Sequence, residues 1–103
     1  MVGIYKITNK VNNKCYIGYS NNIEKRWCSH RTNPKNPELK QDMEKFGLHN
    51  FLFEVLEECS VNELPQKEIY WIKYYDSYHT GYNMNSGGSG NGNPLDLDYE
   101  AIY

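Results

Sequence analysis

A chain of 103 residues has room for one domain with a modest core, and not for two cores joined by a linker. Its 39% hydrophobic and 15% aromatic content, including ten tyrosines, excludes a disordered chain. No apolar run approaches the roughly 18 residues of a membrane span, and Met1-Val2-Gly3-Ile4-Tyr5 lacks the basic-then-apolar pattern of an export signal.

A soluble, intracellular setting is therefore expected, with Cys15, Cys28 and Cys59 as reduced thiols, odd in number and widely spaced. The net charge of −2 conceals a split along the chain. Residues 1–37 carry seven Lys or Arg against Glu24 alone, and residues 38–103 carry four against twelve Asp or Glu. An imbalance of about +6 and −8 predicts one basic face and admits a nucleic-acid partner.

Val2 to Thr8 and Cys15 to Tyr19 are short β-branched and aromatic runs separated by Asn- and Lys-rich residues, which predicts a hairpin with a polar turn. Asn21 or Asn22 offers a cap for a helix from Ile23 to Arg31, with Ile23 and Trp27 on one face and Arg26 and His30 on the neighbouring one. After the Asn33–Pro37 loop, Leu39, Met43 and Phe46 predict a second helix over Glu38–Phe46, ended by Gly47. Phe51, Phe53 and Val55 alternate with Leu52, Glu54 and Leu56, as in a third strand with one face more buried.

Asn62 and Pro65 then open a third helix whose apolar stripe is Leu64, Trp71, Ile72 and Tyr75. Glu68 interrupts that stripe, and a carboxylate there needs a partner. Residues 1–88 make the expected domain, the rest of a Gly-rich tether runs to residue 94, and residues 95–103 read as the start of a further element.

Gly3-Ile4-Tyr5 and Tyr16-Ile17-Gly18, followed in order by Arg26, His30, Glu68 and Asn83 in Gly81-Tyr82-Asn83, closely resemble the GIY-YIG nuclease family over residues 2–88. The Lys45–Phe51 segment resembles the same family. The resemblance implies an α+β domain with a small, mainly antiparallel three-stranded sheet flanked by helices, in the order ββααβα. It also implies metal-dependent hydrolysis of DNA, leaving a 3′-hydroxyl and a 5′-phosphate, as in homing endonucleases of phages, viruses and mobile introns.

Under that resemblance Glu68 holds Mg²⁺, with Mn²⁺ as a substitute, because Mg²⁺ binds through one or two carboxylates while keeping waters and phosphate oxygens. Arg26 suits the scissile phosphate through its planar, permanently charged fork. Tyr5 helps activate water, acting as a base only where cations lower its pKa, while Tyr16 positions water or phosphate beside it. Which face each tyrosine takes depends on the strand register.

His30 is expected to shuttle protons near neutral pH, and Asn83 to hold the glutamate helix or the phosphate through its amide. Lys14 and Lys25 are expected to contact DNA phosphates without reading sequence. A tethered DNA-binding region is expected to choose the target, leaving this domain to cut weakly and unselectively.

Two other readings stand beside this one. The same fold could be a catalytically idle module that holds single-stranded nucleic acid by stacking, or an assembly domain using its tyrosine-rich surface. Structural zinc is excluded by the absence of paired Cys or His spacing.

Overall fold

The computed structural model describes residues 1–84, so the expected tether and further element lie outside the described residues. Strands β1 (Gly3–Asn9) and β2 (Cys15–Ser20) form the hairpin. Its turn is built from asparagine side chains. Asn9 accepts from the Val11 amide at 2.9 Å, Asn12 accepts from the Lys14 amide at 2.9 Å, and Asn13 takes φ of 66°. Asparagine tolerates that left-handed conformation because its short amide bonds locally.

Strand β3 (Phe51–Glu58) adds antiparallel to β1, giving the sheet order β2-β1-β3. The register places Tyr5 opposite Gly18 and Ile7 opposite Tyr16 across the hairpin, so both tyrosines project from one face as diagonal neighbours. Along β3 the alternation expected from the sequence breaks. Ile4 pairs with Glu57 and Tyr5 with Val55, leaving Leu56 as the extra residue of a β-bulge.

Phe51 and Phe53 therefore join the Tyr5 face, while Leu56 turns to the Ile4 and Ile17 face. Val55 is exposed. Gly3 stands next to this irregularity, where a Cβ would lie 2.2 Å from the Glu57 carbonyl oxygen. Only glycine lets β3 approach there.

Helices cover both faces. α1 (Ile23–Thr32) is capped by Asn22, whose side chain accepts from the Lys25 amide, and α2 (Pro37–Phe46) by Asn36, which does the same for Leu39. Gly47 closes α2 with φ of 86°, as a glycine after a helix allows. These helices deliver Ile23, Leu39 and Met43 to the core containing Tyr5, Ile7 and Phe51.

α3 (Leu64–Tyr75) packs Leu64 and Ile72 against Ile4 and Ile17 on the opposite face. Ile4, Ile7 and Ile17 are fully buried, each contributing about 1.5–3 kcal/mol of transfer free energy. Ser60, rather than Asn62, organises the approach to α3. It forms a capping box with Glu63 around a 3-10 turn, Val61–Glu63, which precedes the helix. A short α4 (Ser77–Thr80), not foreseen from the sequence, follows the left-handed Asp76.

No helix among the described residues is long and apolar enough to cross a membrane. Cys15 is buried, Cys28 exposed and Cys59 half-buried, all as free thiols.

Candidate active site

The face of the hairpin beneath α1 gathers the tyrosines. The Tyr5 ring lies over Gly18, where a Cβ would stand 2.4 Å from the phenol oxygen and 3.0 Å from the Tyr16 ring. The glycine of the second triplet is thus the clearance for the tyrosine of the first. Tyr5 and Tyr16 have ring centroids 6.3 Å apart, and Trp27 meets the Tyr5 ring edge-on.

Arg26 and His30 are one turn apart on α1 and reach the same phenol. The Tyr5 hydroxyl and His30 Nε2 lie 2.9 Å apart, and Arg26 donates a hydrogen bond to the Tyr5 oxygen. His30 Nδ1 is buried without a hydrogen-bond partner among the described residues. Glu68 arrives from α3, half-buried, and its charge acts on both phenols.

Burial sets the protonation states here, and it reverses two expectations. Tyr5 is 0% exposed, and desolvation, followed by repulsion from Tyr16, pushes its pKa well above the ordinary phenol value despite Arg26. It is a neutral phenol at physiological pH, not a ready base. Tyr16 is pushed up to about 12 by burial and then by Glu68. His30 is pushed down to about 4 by burial and the Arg26 charge, so it is a neutral imidazole near pH 7 rather than a group titrating there.

The His30 shift carries a stability consequence. Its folded pKa of about 4 lies below the ordinary 6.5, so between those values the unfolded chain binds more protons. Its contribution, about 3 kcal/mol, is fully present above pH 6.5 and lost as pH falls toward 4. Urea unfolding across that range should show His30→Gln losing about 3 kcal/mol less than the wild type. Parallel pH profiles for the two proteins would contradict the assignment.

Asn83 turns its amide to the backbone. Its oxygen accepts from the Ile17 amide at 2.8 Å and its nitrogen donates to the Ile17 carbonyl at 2.9 Å. The Tyr82 amide donates to the Cys15 carbonyl at 2.9 Å, so the 82–83 segment grips β2 on both sides of Tyr16. Asn83 thus holds the strand that carries Tyr16, where the glutamate helix or the phosphate was expected as its partner.

Tyr82 anchors this segment, with its hydroxyl accepting from Asn9 at 3.0 Å and donating to Asp42 at 2.7 Å. Asn36 donates to the Tyr82 carbonyl at 2.6 Å. Sequence reasoning missed Tyr82, Asp42 and the clearance role of Gly18. The only signal was their place within or beside the recognised motifs.

Lys14 does not face the tyrosines as an unpaired cation. It pairs with Glu38 and lies over the Tyr82 ring. Lys6 pairs with Glu54 in the same way, so carboxylates from the acidic half of the chain cover part of the expected basic face. Lys25 is exposed on α1. No group of three or more potential metal-ligating side chains occurs among the described residues.

A three-stranded antiparallel sheet with paired tyrosines on the hairpin, Arg and His on the next helix and a glutamate on the last long helix is a GIY-YIG catalytic domain. The chain belongs to that family, whose catalytic-domain model matches residues 1–83. The Intron-associated endonuclease 1 of Enterobacteria phage T4 is 35% identical over 88 residues, which are 80% of this chain and 36% of that protein. The putative endonuclease segB of the same phage is 33% identical over 91 residues, 84% of this chain and 38% of that protein.

Among solved structures, the catalytic domain of the homing endonuclease I-TevI is similar with a TM-score of 0.76 at 32% identity, covering 82% of this chain and 99% of that one. A glutamate-to-alanine variant of that catalytic domain is similar with a TM-score of 0.72 at 30% identity, covering 82% of this chain and 94% of that one. The chain spans a little over a third of the length of the curated relatives it matches.

Proposed function

We propose that this domain is a divalent-metal-dependent DNA endonuclease, the cutting module of a homing-type enzyme that finds its target through a tethered DNA-binding region. The observation that carries the proposal is the convergence of Arg26, His30 and Glu68 on two phenols, with Tyr5 held between Arg26 and His30 Nε2. Hydrophobic packing needs none of those three polar groups. The length of the phage relatives beyond the matched segment supports a separate targeting region.

Glu68 fits a Mg²⁺ or Mn²⁺ ligand: it is a half-buried carboxylate beside the phenols, and such ions need one or two carboxylates, with waters and phosphate oxygens completing the shell. When bound there, the ion would neutralise charge on the phosphate under attack.

The chain's own residues handle the proton and the remaining charge. With Arg26 donating to the Tyr5 oxygen, this reading assigns the phenol as donor to His30 Nε2, which leaves the imidazole's hydrogen on Nδ1. As the attacking water bonds to phosphorus and the bond to the 3′ oxygen breaks, Tyr5 would take the water's proton while passing its own to neutral His30, and the leaving 3′ oxygen would take a proton from solvent. No free phenolate forms, in agreement with the raised Tyr5 pKa.

Arg26 faces the phosphate oxygens as their charge builds, and Tyr16 orients water or phosphate beside Tyr5. Asn83 acts as a positioning residue through the Tyr16 strand. Lys25, with a smaller share from the paired Lys14, helps hold the DNA backbone.

Plasmid cleavage by the full chain tests this reading. Weak, unselective nicking or linearisation with Mg²⁺ or Mn²⁺, abolished by EDTA, is expected. Metal-independent DNA binding without cleavage would instead identify an idle module of the same fold.

A further inference from the structure

Away from the tyrosines, a cleft of about 140 Å³ opens between the end of α1 and the part of α2 from Lys40 to Glu44. Arg31, Lys40 and Glu44 line it, together with Thr32 and the apolar Pro34, Met43 and Leu48. Among the described residues, neither Arg31 nor Lys40 has a carboxylate within salt-bridge distance, whereas Lys6, Lys14 and Lys67 are each paired with a glutamate. Arg31 also has a fixed platform. Its guanidinium carbon lies 4.9 Å from the centre of the Phe53 ring, which orients the plane without using its N–H groups.

Two cations against one carboxylate leave the cleft lining with a net positive charge suited to an anion, and the placement on α1 indicates which. Arg26 and Arg31 are five residues apart, which at 3.6 residues per turn sets them about 140° apart around the helix. They emerge from opposite flanks of a rod about 10–12 Å thick, a thickness comparable to the major-groove width of about 12 Å. The outer surface of α1 between them presents the exposed Glu24, Lys25, Cys28, Ser29 and Thr32, with Glu24 paired to the N-terminal ammonium.

We infer that this cleft holds a backbone phosphate of the same duplex that is cut at the tyrosine site, on the far flank of α1 from Arg26. The inference rests on the endonuclease reading and adds to it a second, non-reacting contact that sets the orientation of the duplex. Arg31 supplies the planar fork and Lys40 a point charge. Glu44 keeps the contact weak, in keeping with a module that leaves target choice to another region.

The test is a fluorescence-anisotropy titration of a short duplex in EDTA, with the full chain, at several salt concentrations. A phosphate contact contributes about 0.9 to the slope of log affinity against log salt. Arg31→Ala combined with Lys40→Ala should lower that slope by about 1, while Glu44→Gln should strengthen binding. Lys73→Ala, which removes an exposed charge on α3, should leave the slope unchanged.

An unchanged slope in the double variant, or an equal fall in Lys73→Ala, overturns the cleft while leaving the endonuclease reading intact. Absence of both binding and cutting by the wild type overturns both.

Discussion

Glu68→Ala should fold as the wild type does and cut no DNA at any concentration of Mg²⁺ or Mn²⁺. Glu68 occupies α3 four residues after Leu64 and four before Ile72, both buried, yet the helix does not depend on it for packing. It is half exposed, and its neighbours in the stripe carry the apolar burial. Alanine is also a better helix former, so the melting temperature should hold or rise slightly.

Activity is another matter. If Glu68 is the one carboxylate that anchors the ion, its loss removes both charge neutralisation and the positioning of water. A fall of at least a thousandfold, about 4 kcal/mol of transition-state stabilisation, is expected in plasmid cleavage. A second readout does not depend on turnover. Glu68 helps hold Tyr16 at about 12, so its removal should lower the Tyr16 titration measured by ultraviolet absorbance. Wild-type cleavage by Glu68→Ala would remove the proposed metal ligand.

Arg26→Ala should reduce the cutting rate by a hundred- to ten-thousandfold at saturating DNA, and Arg26→Lys should recover little of it. The guanidinium has two tasks that one ammonium cannot combine: it donates to the Tyr5 oxygen and is placed to meet phosphate oxygens. Because Arg26 also helps depress His30, Arg26→Ala should raise the His30 pKa from about 4 toward its ordinary value. A base must be neutral to act, so the acid limb of any residual activity should move to higher pH. Near-normal cleavage by Arg26→Lys would show that only a positive charge is needed there.

Much of the site was legible in the amino-acid order because the signals were local or paired. The two triplets lie on adjacent strands of a hairpin whose turn is dictated by asparagines, and Arg26 and His30 share a helix turn opened by Asn22. Those features depend on neighbours a few residues away, which a sequence displays directly. The same reasoning found where α3 begins but assigned its cap to Asn62, whereas Ser60 and Glu63 close a capping box around the preceding 3-10 turn.

The sequence by itself determined the order of the three strands and three long helices, the hairpin and the set of polar residues available for chemistry. Tertiary packing decided what those residues are in the folded protein. The bulge at Leu56 sorted β3 between two faces, and Gly18 let the Tyr5 ring lie flat on the sheet. Burial then carried the Tyr5 pKa still further above neutrality and His30 down to about 4, away from the neutral range in which it was expected to exchange protons. It also turned Asn83 onto the backbone of β2 and brought Arg31 and Lys40, nine positions apart, to one cleft. Desolvation and long-range contact depend on which surfaces meet, and residue spacing along a chain carries no term for either.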